Sequence, residues 1–307
     1  MNLEPEIEAF ISKTECFYTN NACGNITEER NAYNALCREF TPPVPEDLHT
    51  RDELIRGKKS EIPVRCYWTE NTSDACLIYF HGGGFVVGNL DSHDFVCMRL
   101  AMDTTCKVIA VDYRLAPEHR FPAAFDDCAS VLQSVQNRAD RFGVNQSKIL
   151  LCGDSAGGNL VAGVALANRD NGGTALLGQI MVYPRLTHDY SLPSYTECAN
   201  APLLSTEDVH YYHDAYTNRE KIDSHYLAPA TARSFSDLPP ALLLPVEYDP
   251  LRDDSYLYHE KLLAARVESE LHLGKGLVHG CLRAIGASPQ ADLMYAKILD
   301  FVNRQVN

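Results

Sequence analysis

Ile149-Leu150-Leu151-Cys152-Gly153-Asp154-Ser155-Ala156-Gly157-Gly158-Asn159-Leu160 joins an apolar run of strand length to a helical pattern through a turn of small residues. Gly153, Ser155 and Gly157 form G-x-S-x-G, directly after the strand and directly before the helix. A bare G-x-S-x-G is common and often marks an ordinary glycine turn. Here the flanking elements supply the context a nucleophile needs, because its hydroxyl must be raised above a sheet on a strained turn that only small neighbours permit. The helix N-terminus beneath the turn also favours developing negative charge.

A second glycine run, His81-Gly82-Gly83-Gly84-Phe85, follows another apolar stretch, Ala75 to Phe80. Three consecutive glycines cost backbone entropy, and an oxyanion hole explains them: backbone N–H groups must approach a substrate carbonyl with no side chain in the way. Gly82 and Gly83 are the expected donors, joined by the N–H of Ala156. A phosphate-binding loop would need the G-x-G-x-x-G spacing or a P-loop lysine, and neither is present.

A serine needs a base, and the base an orienting acid, in the chain order serine, acid, histidine for this kind of turn. Asp249 follows the apolar run Pro240 to Val246, and Pro250 fixes its turn; Glu247 and the Asp253/Asp254 pair remain alternatives. His279 is the expected base. It lies in Gly274-Lys275-Gly276-Leu277-Val278-His279-Gly280, read as a flexible loop between the strand Glu270 to Leu273 and the final helix. His272 falls within that strand, and His81 belongs to the glycine loop.

Further strands are expected at Ile62 to Trp68, Lys107 to Asp112 and Gly178 to Tyr183, with helices at Ala123 to Phe142 and Asn159 to Arg169. Near-continuous apolar strands alternating with helices indicate a mostly parallel sheet covered on both faces. Ser288 and Pro289 signal the start of the last helix. The N-terminal residues 1–45 read as helices, with Thr27 a capping residue, before the break Thr41-Pro42-Pro43-Val44-Pro45. The catalytic domain then runs over 46–307. Residues 186–233 interrupt its rhythm with a polar, Tyr- and His-rich insertion, read as lying over the sheet edge with the N-terminal helices.

Net charge is −14, with no cluster of basic residues, so nucleic acid and anionic membrane surfaces are not expected partners. No apolar run reaches membrane-spanning length. Met1-Asn2-Leu3-Glu4-Pro5-Glu6 lacks the basic and apolar parts of a signal peptide, and a cytoplasmic location is the expectation. The 11 cysteines form no C-x-x-C pair, so reduced structural thiols are expected rather than a disulfide framework or a zinc site.

In its motifs the chain resembles the bacterial branch of the hormone-sensitive lipase family, and within it bacterial acetyl esterases. The resemblance rests on His81-Gly82-Gly83-Gly84-Phe85 with Gly88-Asn89-Leu90-Asp91-Ser92-His93-Asp94, and on Asp112-Tyr113-Arg114-Leu115-Ala116-Pro117-Glu118 leading into Phe121-Pro122-Ala123-Ala124. Gly153 to Asn159 and Asp249-Pro250-Leu251-Arg252-Asp253-Asp254 complete it. It implies an α/β-hydrolase fold with a helical cap, formed by the N-terminal helices and the insertion. It further implies a carboxylesterase acting on acetyl to butyryl esters without a cofactor or metal. Arg114 and Glu118 are expected to hold loops in place. Two departures stand out: Cys281 replaces the usual aromatic after His279-Gly280, and Glu247 and Tyr248 stand where relatives often carry small residues.

An amide or formamide hydrolase would share this machinery. A non-catalytic ligand-binding protein would be expected to have lost a triad residue, and all three positions are filled. A lipase for long acyl chains would want an apolar lid, which the polar insertion does not offer. The partner is thus a small-molecule ester; oligomeric state is left open, a homo-oligomer included.

Overall fold

The computed structural model of the chain describes residues 1–20 and 25–307. Ten strands form: β1 (His49–Arg56), β2 (Glu61–Trp68), β3 (Cys76–Phe80), β4 (Lys107–Val111), β5 (Ile149–Asp154), β6 (Gly178–Val182), β7 (Ala241–Leu244), β8 (Val246–Tyr248), β9 (Ser269–Leu271) and β10 (Gly274–Val278). Eight make one sheet in the order β1-β2-β4-β3-β5-β6-β7-β9, while β10 and β8 pair separately. The first two pairings, β1 with β2 and β2 with β4, are antiparallel, and the rest of the sheet is parallel.

The helices are α1 (Pro5–Asn20), α2 (Ile26–Arg38), α3 (Asp94–Asp103), α4 (Ala123–Asn137), α5 (Ala139–Phe142), α6 (Ala156–Asp170), α7 (Ser194–Glu197), α8 (Thr206–Thr217), α9 (Arg252–Ala264) and α10 (Pro289–Val306). Side chains alternate across the sheet, and both faces are buried. Cys76, Ile78 and Phe80 of β3 join Ile149 and Leu151 of β5 in a core against α4, α6 and α9. Leu77 and Tyr79 join Leu150 and Cys152 in a second core against α1, α3 and α10. Each fully buried Leu or Ile contributes about 1.5–3 kcal/mol relative to exposure. The mostly parallel sheet with helices on both faces is therefore the fold the sequence implied.

Several local expectations need correction. The strand β1 carried no apolar signal, because as an edge strand it is exposed along most of its length and holds charged residues. The stretch Gly274 to Val278, read as a flexible loop, is strand β10, paired in parallel with β8. The run Pro240 to Val246 divides at Pro245, which has no N–H for a ladder. Asn25, not Thr27, caps α2, its side chain accepting from the Glu28 N–H at 3.1 Å. The final helix begins as anticipated, with Ser288 Oγ accepting from the Ala291 N–H.

Residues 186–233 contain α7 and α8 and are fastened to the start of α9. Asp254 Oδ2 accepts from the Leu186 and Thr187 N–H groups at 2.7 and 3.0 Å, and Asp253 Oδ2 accepts from the Ser194 N–H at 2.9 Å. Arg114 grips Asp127 through two parallel bonds of 2.8 Å. Glu118 accepts two bonds from Arg30 of α2, whose guanidinium also reaches the Val86 and Ala116 carbonyls.

Cys66, Cys76 and Cys128 sit in the first of these cores, and Cys97, Cys106, Cys152 and Cys281 in the second. Among the described residues nine are buried, Cys16 alone is exposed, and all are free thiols; Cys23 lies outside the described residues. Burial pushes the Cys66 and Cys106 thiols up to about 11, which suppresses the reactive thiolate. In the native protein a soluble thiol reagent should therefore label Cys16 and spare the nine buried positions, all of which should react in denaturant without prior reduction. Peptide-mapped mass spectrometry checks this, and a disulfide between any of the ten would contradict it.

Candidate active site

The turn after β5 holds Ser155 at φ 55° and ψ −117°, a backbone conformation that L-residues rarely adopt. Crowding makes its neighbours small. A Cβ on Gly157 would stand 1.9 Å from the Phe80 carbonyl oxygen, and one on Gly153 would stand 2.6 Å from Gly157. The Ser155 N–H donates to the Val182 carbonyl at 2.8 Å, which ties the turn to β6.

His279, at the end of β10, points Nε2 at Ser155 Oγ across 2.8 Å, and its Nδ1 lies 2.7 Å from Asp249 Oδ2. Asp249 is fully buried, and its second oxygen, Oδ1, accepts the Leu251 N–H at 2.8 Å. The tautomer consistent with both contacts carries the proton on Nδ1, donated to Asp249, and leaves Nε2 as acceptor for the serine hydroxyl. The other acids are engaged elsewhere. Glu247 Oε2 accepts the Gly276 N–H at 2.7 Å and so helps hold β10, while Asp253 and Asp254 anchor the insertion. Close to His279 in sequence, Cys281 is buried, and the Tyr183 ring packs on the His279 imidazole with centroids 4.6 Å apart.

The glycine loop departs from expectation at one residue. Gly82 does not offer its N–H to the cavity, because it donates to Asp154 Oδ1 at 3.0 Å. Gly83, Gly84 and Ala156 do line the cavity, and no acceptor for their N–H groups occurs among the described residues.

Asp154 was not singled out by sequence reasoning, although it sits inside the nucleophile motif. Its Oδ1 also accepts from the Tyr79 hydroxyl at 2.8 Å and lies 3.3 Å from His93 Nε2. Burial alone would raise its carboxyl, but His93 and Tyr79 outweigh that and hold it down at about 2. His81, by contrast, is driven down to about 3 by burial and stacks on Tyr113 at 4.2 Å.

Above the serine lies a cavity of about 510 Å³. Its walls come from α1 and α2 (Thr14, Glu15, Tyr18, Tyr33), from residues 186–233 (Leu203, Leu204, Val209, Tyr212, His213) and from Phe95, Arg185, Leu251 and Arg283. Among the described residues no helix is long and apolar enough to cross a membrane, and no group of three or more His, Cys, Asp or Glu could hold a metal ion.

Residues 77–283 match a family model described as an α/β hydrolase fold. The chain is 40% identical over 257 residues to an esterase, LipI, of Mycobacterium tuberculosis, covering 81% of this chain and 80% of that one. It is 32% identical over 306 residues to an arylesterase of Saccharolobus solfataricus, covering 97% and 98%. A hyperthermophilic esterase from the archaeon Pyrobaculum calidifontis has the same fold, with a TM-score of 0.91 at 30% identity and all of both chains covered.

Because the Asp154 carboxyl is held below its unfolded value, its contribution to stability is present above about pH 4 and is lost as pH falls toward 2. Asp154→Asn should thus lower stability at neutral pH by about 2 kcal/mol or more, and flatten the fall in unfolding free energy between about pH 4 and 2. Urea titrations at stepped pH measure both; an unchanged slope would show that the carboxylate charge does not carry the effect.

Proposed function

The chain belongs to this α/β-hydrolase-fold family of esterases, and we propose that it cleaves short-chain carboxylic esters through an acyl-enzyme on Ser155. The observation that carries the reading is the unbroken line from Ser155 Oγ through His279 to Asp249, with contacts of 2.8 and 2.7 Å. In this reading His279 Nε2 takes the serine proton as Oγ attacks the ester carbonyl. Asp249 holds the tautomer and stabilises the imidazolium. The N–H groups of Gly83, Gly84 and Ala156 receive the oxyanion, with Gly82 supporting the loop instead. His279 then protonates the departing alcohol and activates the water that releases the acid.

We assign the cap to α1, α2 and residues 186–233, since these segments supply cavity walls above Ser155. Polar groups such as Thr14, Tyr18, Tyr33, Arg185 and His213 interrupt those walls and support acetyl to butyryl chains over longer ones. Free, mostly buried thiols support a reducing, cytoplasmic setting.

Ser155→Ala should keep the fold and lose on the order of 10⁶ in kcat against p-nitrophenyl acetate. Asp249→Asn should cost about 10⁴, whereas Glu247→Gln should cost far less. Retention of a tenth of the activity in Ser155→Ala would remove the nucleophile assignment. Across p-nitrophenyl esters, kcat/KM should peak between two and four acyl carbons. A continuous apolar groove would instead reward each added methylene with about 0.8 kcal/mol, and a peak at eight carbons or beyond would reject the short-chain reading. Faster turnover of the matched p-nitroanilides would favour an amide hydrolase.

A further inference from the structure

Arg283 lies four residues beyond His279, on the short 3-10 turn Cys281–Ala284, and lines the cavity. Its guanidinium folds back over the residue that follows the base. A Cβ at Gly280, which sits at φ 78°, would stand 2.6 Å from Arg283 Nη2. The charge is poorly satisfied. Nε is buried without an acceptor, Nη1 reaches only the Cys37 thiol at 3.9 Å, and no hydrogen bond from Nη2 occurs among the described residues. The rings of Phe10 and Tyr33 flank it, with centroids 5.8 and 5.7 Å away.

Other part-buried arginines show what is missing. Arg30 forks onto Glu118, Arg65 onto Asp52, and Arg114 onto Asp127. Arg185, also on the cavity wall, has no carboxylate in contact, yet its terminal nitrogens meet His213, His188 and Tyr190 at 3.0 to 3.3 Å. No carboxylate forms an ion pair with Arg283 among the described residues. Asp154 and Glu15 share the cavity wall, but Asp154 is committed to Tyr79, Gly82 and His93, and neither reaches Arg283. An arginine fork with open N–H groups matches the geometry of a planar carboxylate, which can accept two parallel N–H bonds.

We propose that Arg283 is the anion-recognition residue of the cavity and that the preferred ester carries a second, carboxylate group seated on its Nη1 and Nη2 atoms. The substrate class is then the half-ester of a small dicarboxylic acid, or an ester whose alcohol bears a carboxylate. Arg283 binds and positions; Ser155, His279 and Asp249 carry the reaction, and to that extent the inference rests on the esterase reading.

Two matched pairs test it by pH-stat: monoethyl succinate against ethyl butyrate, with the charge on the acyl side, and O-acetylglycolate against n-propyl acetate, with the charge on the alcohol side. One anionic ester should exceed its neutral partner in kcat/KM. Arg283→Gln should reduce that anionic-to-neutral ratio about tenfold to a hundredfold, chiefly through KM, and Arg283→Lys should recover part of it. A ratio unchanged by Arg283→Gln, or neutral esters preferred in both pairs, would overturn the proposal. Should Arg283→Gln not fold, Arg283→Lys must itself lower the ratio, since it loses the fork while keeping the charge. Calorimetry on Ser155→Ala keeps the two readings apart. In at least one of the two pairs the anionic ester should bind there more tightly than its neutral partner, and the difference should vanish on adding Arg283→Gln. If the wild type turns over none of the four esters, the esterase reading fails, while that binding difference still decides the role of Arg283.

Discussion

The N-terminus of α6 is pressed against the end of β3 so closely that Gly157 has no room for a side chain beside the Phe80 carbonyl. This contact forces the chain to leave β5 through Ser155 in its strained conformation, at a cost of about 1–3 kcal/mol. The strain persists because the surroundings over-determine it. Strand β5 is buried along its whole length, the Ser155 N–H is held by β6, and the first turn of α6 closes when the Asn159 N–H donates to the Ser155 carbonyl. Relaxing the turn would separate α6 from β3 and open the core behind both.

The groups around the serine are positioned by bonds that cross long stretches of sequence. Asp154 joins the nucleophile turn to the glycine loop through Gly82, 72 residues away, and draws His93 and Tyr79 into the same cluster. Arg30 links α2 to that loop through Val86 and to the following turn through Ala116 and Glu118. On the other side Glu247 latches β8 to β10, and β10 delivers His279. Glu247 thus reads as an acid beside Asp249 in sequence, yet it serves the backbone that carries His279.

These features differ in how far the sequence revealed them, and locality explains the difference. The serine turn was legible because strand, small residues and helix are contiguous over a dozen positions. Asp249 was legible because it follows an apolar strand, and His279 because it comes next in a fixed chain order, although the strand that carries it was read as a loop. Strand β1 was not, since its pairing with β2 stabilises a polar edge that has no apolar alternation of its own. The glycine loop was legible as a loop, but the direction of the Gly82 N–H was not, because it is decided by a carboxylate on another strand. The cavity wall was the least legible part. Tyr33, His213 and Arg283 come from separate segments, and nothing near any of them in the sequence signals that they face one space.

That separation has a consequence for specificity. The chemistry is built from short motifs on the ends of core strands, where a change in direction would disturb both faces of the sheet. The walls are built largely from α1, α2 and residues 186–233, held to the core by a few polar ties, such as Asp254 on the Leu186 and Thr187 N–H groups and Arg30 on the glycine loop. Side chains between those ties can vary without moving Ser155 or His279. The chain as a whole carries a net charge of −14, so at long range it repels anions. Inside a small cavity screening by water is weaker, and Arg283, whose nitrogens meet only the Cys37 thiol among the described residues where those of Arg185 meet two histidines and a tyrosine, is the guanidinium left open to an anion. Arg283 is also, of the charged cavity-wall residues, the one nearest in sequence to His279, on the turn that β10 feeds directly. Any selection it exerts on substrate charge therefore acts on a group already placed beside His279, through a backbone that the core holds in register.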